Sequence, residues 1–327
     1  MNRKVCVAPM MDCTDRHERF FLRLISKNVL LYTEMIVSEA ISRGDKKKLL
    51  AFNLNEKPLA LQVGGSSAKL LAEAAKIGED FGYDEINLNL GCPSRKVQKN
   101  KFGACLIKEP NLVADCLTEM MASCSIPVTV KTRIGYDDVE DYESLKNFIK
   151  ILKKTGVKTF IIHARKAMLG KFTPKQNLNI PPLKYDIVYR LKKDFPEEEV
   201  IINGGINSIY QIKNHLEKVD GVMIGRSVYH SPYFLAEIER EIFNNDNISS
   251  RKEIIENLIP YVKSEIKKGT RLNQIMRHTI GLFHGQTGTN FWKRYLSENM
   301  CVRNADVQKI NHIMDKITFN HLERSVS

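Results

Sequence analysis

Eight short β-rich runs recur along the first 225 residues, and helical patterns fill most of the gaps between them. The runs are VCVAP (5–9), VLLYTEM (29–35), PLALQV (58–63), YDEINLN (83–89), PVTVKT (127–132), KTFIIHA (158–164), EVIING (199–204) and DGVMIG (220–225). Each parallel strand pair needs a crossover, so repeated β–α units predict parallel strands. Eight units in about 240 residues match a (β/α)8 barrel, which typically spans ~250 residues. A doubly wound open sheet is the alternative. No G-x-G-x-x-G follows the first run, which counts against it.

In SSAKLLAEAAKIGEDFG, residues Leu70, Leu71, Ala74, Ala75 and Ile77 share one helical face, with Ser66 as the expected N-cap and Gly82 as the stop. The rhythm changes at the polar NNDNISS, where Ser249 and Ser250 are cap candidates. Only helical patterns follow: RKEIIENLIPYVKSEIKKG, RLNQIMRHTIGLFHG, TNFWKRYLSENM and NADVQKINHIMDKI. Pro260 is expected to kink or split the first of these. The predicted organisation is a catalytic barrel over 1–244 and a small all-α domain over 245–327.

The chain is 43% hydrophobic and 27% charged, an ordinary soluble composition. No run approaches the roughly 20 apolar residues of a membrane span. Asp12 and Asp15 interrupt the N-terminus too early for a signal peptide. Seven cysteines without a C-x-x-C pair argue against a disulfide scaffold or zinc ribbon and fit a reducing compartment. The expectation is a cytoplasmic monomer with no membrane partner and no metal. A formal net charge of +12 favours an anionic partner. That charge is denser in residues 246–327, with 13 Lys+Arg against 8 Asp+Glu.

Chemistry in a barrel belongs at the C-terminal strand ends. The first run ends in Pro9, Met10 and Met11, and the third at Gln62. The fourth ends at Asn87, Asn89 and Cys92, the fifth at Lys131 and Arg133, and the sixth at His163 and Arg165. The seventh ends in Asn203, Gly204 and Gly205, and the eighth in Gly225 and Arg226. A lone cysteine is ordinarily a small buried hydrophobe, which is the reading for Cys105, Cys116 and Cys124. A lone lysine at a strand end ordinarily pairs with an acid, here Glu34 or Asp84. Convergence of six polar ends on one rim is what points to a site. INGGI and GRSVY suit a phosphate, because glycines admit close backbone approach and Arg226 adds a charged fork. A flavin fits above such a clamp: Lys131 for negative charge on the reduced ring, His163 and Gln62 for its edges, and the Pro9–Met11 backbone for packing.

Together APMMDCTDRHER, LQVGG, INLNLGCPSRKVQKNKFGACL, VKTRIG, IHARKA, IPPLKYDIVYRLKKDFP, INGGI, DGVMIGRSVYHSP and GLFHG…FWKRYLSE resemble the tRNA-dihydrouridine synthases in order and spacing, over nearly the whole chain. TDRHER and the IPPL block are most similar to the bacterial A-type subfamily, which acts on uridines 20 and 20a of the tRNA D-loop. The resemblance implies an FMN-binding barrel, a helical tRNA-binding domain and NADPH as electron donor. It implies hydride transfer from reduced FMN to C6 of uracil and proton transfer from Cys92 to C5. Cys92 would then meet the substrate as a thiol; an ordinary cysteine, with a pKa of roughly 8.5, is one near neutrality. Asn89 would reach the uracil edge. Arg165, Lys175, Lys293 and Arg294 would contact tRNA, as would the basic loop with Arg95, Lys96, Lys99 and Lys101. The single tryptophan, Trp292, reads as a packing residue.

Two departures stand out. PKQNL carries Leu178 where the subfamily has arginine, and TGTNFWKR carries Asn290 and Lys293 where it has arginines. Lysine lacks the bidentate fork of arginine, so these positions bear on how RNA is oriented. Two other functions fit parts of the pattern: a flavin barrel reducing a free pyrimidine or another small enone, and a non-catalytic RNA-binding barrel. A dedicated basic helical domain argues against the first, and an intact Cys92–Lys131–His163 set against the second.

Overall fold

A computed structural model describes residues 1–139, 141–170, 172–287 and 289–300. The predicted helix over 304–317 lies outside them. The chain divides into two compact units. One comprises Met1–Asp12 and Val29–Gly225; the other comprises Cys13–Asn28 and the described residues from Arg226 onward. The domain boundary expected from the sequence falls after residue 244. In the structure the segments Cys13–Asn28 and 226–244 group with the C-terminal helices.

Among its described residues the first unit contains nine strands: β1 (Val5–Val7), β2 (Leu31–Tyr32), β3 (Ile36–Val37), β4 (Leu59–Gly64), β5 (Glu85–Asn89), β6 (Val128–Arg133), β7 (Thr159–His163), β8 (Glu199–Asn203) and β9 (Gly221–Ile224). Their order is β1-β9-β8-β7-β6-β5-β4-β2, with β3 also on β4, and every pairing is parallel. A parallel bridge between Cys6 and Leu30 joins the two ends of this path. The architecture is the TIM barrel that the eight runs predict.

The run 29–35 is not one continuous strand. It is broken between β2 and β3, because the Thr33 side chain enters the ladder. Its Oγ1 accepts the Gln62 backbone N–H at 3.0 Å, a donor that a regular strand would offer to a carbonyl. Cys6, Ala8, Leu30, Tyr32, Ala60, Ile161, Ile201 and Met223 form a buried cluster inside the barrel. The helix Ala68–Asp80 is capped by Ser67 rather than Ser66; its side chain accepts the Leu70 N–H. Leu71, Ala74, Ala75 and Gly78 are its buried face, while Leu70 and Ile77 lie at the margin. Gly82, at φ +90°, closes the segment as expected.

The second unit is helical among its described residues. Asp15 caps the helix Arg16–Ile25, accepting the N–H groups of His17 and Glu18, and also binds Arg277 Nη2 at 2.7 Å. Ser250 and Glu253 form a capping box at the start of Arg251–Lys267. That helix is continuous through Pro260, so of the expected kink or split the split does not occur. Ile254, Ile255, Leu258 and Val262 are buried on both sides of the proline, and this packing offsets one lost backbone donor. Trp292 is fully buried, donates from Nε1 to the Thr279 carbonyl at 2.9 Å and meets Phe283 edge-on. No helix among the described residues is long and apolar enough to cross a membrane.

Candidate active site

Because all the strands are parallel, their C-terminal ends share one rim. Strand register sets Asn89 beside Lys131, Arg133 beside His163, and His163 beside Asn203. Residues at alternate positions of β5 and β6 share the inward face, which makes Glu85, Asn87 and Asn89 one polar row and Thr129, Lys131 and Arg133 another.

Lys131 donates from Nζ to Asn203 Oδ1 at 3.1 Å. Asn203 in turn donates from Nδ2 to the Met223 carbonyl at 2.7 Å, so its oxygen is obliged to face the lysine. Asp84, offered above as a structural partner for Lys131, pairs with Lys57 instead. Burial, reinforced by Arg133 and opposed by Cys92, brings Lys131 down to about 7. Burial likewise lowers Arg133 to about 10, again opposed by Cys92. Burial, then Arg133 and Lys131, pushes His163 well below the ordinary histidine range, so the ring is neutral near pH 7. Its Nδ1 is buried with no hydrogen-bond partner among the described residues. A buried ring nitrogen of this kind calls for a ligand atom.

The glycines at the ends of β8 and β9 leave room that a side chain would fill. Gly204 has φ +124°, and a Cβ there would come within 2.8 Å of Leu183 and 3.4 Å of His163 Nε2. A Cβ on Gly225 would lie 3.3 Å from the Met10 sulfur, which places the β1 end beside the β9 end. Pro9 and Met10 are half-buried, whereas Met11 is 56% exposed. Gly205 is exposed at φ +72°. Arg226 follows Gly225 as the first residue of the helix Arg226–His230 and belongs to the second unit.

Cys92 is a free, half-buried thiol on the turn after β5. Asn89 holds that turn: its Oδ1 accepts the N–H of Gly91 at 3.1 Å and of Cys92 at 3.0 Å. One Nδ2 hydrogen goes to Gln62 Oε1 at 2.8 Å, leaving a single donor for a ligand. Gln62 also donates to Asn87 at 2.7 Å, so one of its hydrogens and one lone pair remain. Arg133 donates from Nε to the Gly91 carbonyl at 2.8 Å and from Nη1 to the Lys166 and Asn177 carbonyls. It fastens the Cys92 turn to the loop after β7. The Ala104 N–H donates to the Cys92 carbonyl at 3.0 Å from the other side. Gly103, at φ +73°, makes that approach possible; a Cβ there would lie 2.8 Å from the Cys92 oxygen and 2.5 Å from Val97.

The basic segment after Cys92 is more ordered than a loop. Ser94 caps a short helix, Arg95–Lys99, by accepting the Val97 N–H. Val97 is buried while Arg95, Lys96, Lys99 and Lys101 are exposed. Arg165 is half-buried and donates to the Pro181 carbonyl. Lys175 is exposed on Pro174–Asn179, and Leu178 on the same helix is half-buried. Lys293 and Arg294 are exposed on Thr289–Asn299, in the second unit, with Arg294 Nε 2.7 Å from Glu298. The structure therefore brings Gln62, Asn89, Cys92, Lys131, His163 and Asn203 to one rim. Lys175, Lys293 and Arg294 are exposed cations that take no part in those hydrogen bonds. No group of three or more metal-ligating side chains occurs among the described residues.

Sequence reasoning missed the interior supports: Arg3, Tyr32, Glu85, Thr129 and Glu199. Arg3 bridges Glu85 at 2.7 Å and Glu199 at 2.8 Å. The alternation of polar residues at 85, 87 and 89, continued at 129, 131 and 133, was the available signal.

The family model described as dihydrouridine synthase matches residues 6–318. A Synechocystis protein named tRNA-dihydrouridine(20/20a) synthase is 52% identical over 91% of this chain and 90% of its own. A Vibrio cholerae protein of the same name is 47% identical over 98% of both. A third, from Escherichia coli K12, is 51% identical over 94% of this chain and 90% of its own. Among solved structures, a 2-naphthoyl-CoA reductase complex aligns with a TM-score of 0.54 at 12% identity, covering 75% of this chain. This chain spans 51% of that one, and the likeness is one of fold. With a matching model over almost its entire length and relatives near half identity, the chain belongs to the dihydrouridine synthase family.

Proposed function

We propose that this protein reduces the C5=C6 bond of uridines 20 and 20a in the tRNA D-loop, with FMN in the barrel mouth and NADPH as electron source. The observation that carries the reading is the turn of Cys92 on the rim that also holds Lys131 and an unpartnered His163 nitrogen, in a chain of this family. The residues fit a flavin. Gly204, Gly205 and Gly225, with Arg226 next in the chain, would take its phosphate. Pro9, Met10 and Met11 would pack on the ring. Gln62, Lys131, His163 and Asn203 would meet its polar edges. When bound, reduced FMN supplies the hydride that reaches C6 of the base.

The chain's own residues do the rest. Cys92 holds the proton destined for C5 on its Sγ. Asn89 fixes the backbone of the turn and offers one N–H to the base. Neutral His163 is suited to hydrogen bonding rather than to acid catalysis. A uridine in folded tRNA must leave its stack to reach this rim. Arg95, Lys96, Lys99 and Lys101 in the first unit, with Arg165 and Lys175, are assigned to the RNA backbone. Lys293 and Arg294 are assigned to the same task on the helical unit, which acts as a tRNA-binding domain. The protein works as a cytoplasmic monomer without a metal. Loading with FMN should give a yellow protein, and incubation with NADPH and tRNA lacking dihydrouridine should yield dihydrouridine at 20 and 20a by mass-spectrometric mapping. A protein that takes up no FMN, or dihydrouridine only at other positions, would overturn the assignment.

A further inference from the structure

A buried polar chain crosses the barrel interior from Arg3 to the Cys92 turn, and its direction is set at both ends. At one end, Glu85 only accepts: from Arg3 Nε at 2.7 Å, Tyr32 OH at 2.7 Å and Thr129 OH at 2.6 Å. Burial opposes the charge on Arg3, but Glu85 and Glu199 outweigh it and keep the guanidinium more basic than usual. Burial and Glu85 push the Tyr32 phenol well above its ordinary range, so it remains a donor. At the other end, the N–H groups of Gly91 and Cys92 can only donate, and both go to Asn89.

Between these ends lie a hydroxyl and three amides, each able by itself to face either way. Thr129 gives its hydrogen to Glu85, so its oxygen accepts Asn87 Nδ2 at 2.8 Å. Asn87 Oδ1 then faces Gln62 Nε2, and Gln62 Oε1 faces Asn89 Nδ2. Asn89 Oδ1 is thereby turned toward the Gly91 and Cys92 amides. The acceptor-only and donor-only ends agree, and one polarity satisfies every link. An ion pair this deep is weak support for stability, since its desolvation offsets its attraction. Its distinctive effect is to choose the orientation of the amides above it.

We infer that Glu85, held by Arg3, is a positioning residue for the reaction: through Thr129, Asn87 and Gln62 it orients Asn89, and so aims Cys92 and the Gln62 edge. This rests on the reading of Cys92 as proton donor. The test uses FMN-loaded protein carrying Thr129→Val, which keeps the shape and removes the link, and Thr129→Ser, which keeps the hydroxyl. Three rates are measured: flavin reduction by NADPH, uridine reduction in tRNA, and alkylation of Cys92 by iodoacetamide, followed on its own peptide by mass spectrometry. Thr129→Val is expected to lower uridine reduction about tenfold and to shift Cys92 alkylation about tenfold, with a smaller effect on flavin reduction, which feels only the turned Gln62 edge. Thr129→Ser restores both. Glu85→Gln, which offers Arg3 or Thr129 the wrong partner, should behave like Thr129→Val; if it does not fold, the Thr129 pair decides alone. Parental alkylation and turnover in Thr129→Val, or no recovery in Thr129→Ser, would overturn the inference. If Cys92 were not the proton donor, Cys92→Ala would still turn over while alkylation in the Thr129 series shifted, so the two failures are separable.

Discussion

Gly103 shows how narrowly the Cys92 turn is built. Its positive φ and its approach to the Cys92 carbonyl and Val97 leave no space for a methyl group. Gly103→Ala should lower stability by about 1–3 kcal/mol and cut uridine reduction by at least about tenfold, with FMN absorbance retained. Thermal unfolding and a single-turnover assay check the two parts. Lys131 supplies a pH signature. Its folded pKa, about 7, lies below the ordinary lysine value, so between the two the unfolded chain holds a proton that the fold has released. Negative charge on the reduced ring beside Lys131 favours the charged form and raises that value. The reduction potential of the bound flavin should therefore lie furthest above that of free FMN below about pH 7 and fall back toward it as pH rises further, measured by potentiometric titration of the flavin absorbance. An offset independent of pH would remove Lys131 from the site.

At the scale of elements, the eight runs were legible because period-2 apolar patterning and helical spacing survive in any parallel barrel. The strand-end residues Gln62, Asn89, Cys92, Lys131, His163 and Asn203 were legible for the same reason: parallel strands deliver their ends to one rim. What the pattern could not display is side-chain substitution for backbone. Thr33 replaces a carbonyl partner and splits β2 from β3. Packing on both sides of Pro260 carries a helix through a residue that ordinarily ends one. Asp15 is a third case, read from sequence only as an interruption of an apolar run. It caps Arg16–Ile25 and binds Arg277 and His278. Burial opposes its charge, but His278, the Glu18 N–H and Arg277 outweigh it and hold the carboxyl below its usual range. Its stabilisation is present above the ordinary carboxylate pKa and is lost as pH falls through the folded value. Asp15→Ala should cost about 1–3 kcal/mol in urea unfolding at neutral pH, with the gap between the two proteins closing in acid.

For the molecule as a whole, a net charge of +12 and exposed cations on both units suit a polyanion. Each phosphate contact adds to the salt slope, so uridine reduction in tRNA should fall steeply with added salt. A barrel acting on a free pyrimidine would show little such dependence, which makes a KM series in salt the test between the two substrates. The proposed reaction needs one pairing, a flavin held by the rim and a thiol that supplies the proton. Cys92→Ala, followed through both half-reactions, tests that pairing. The variant should keep its FMN spectrum and its reduction by NADPH but form no dihydrouridine; undiminished dihydrouridine formation would contradict the pairing.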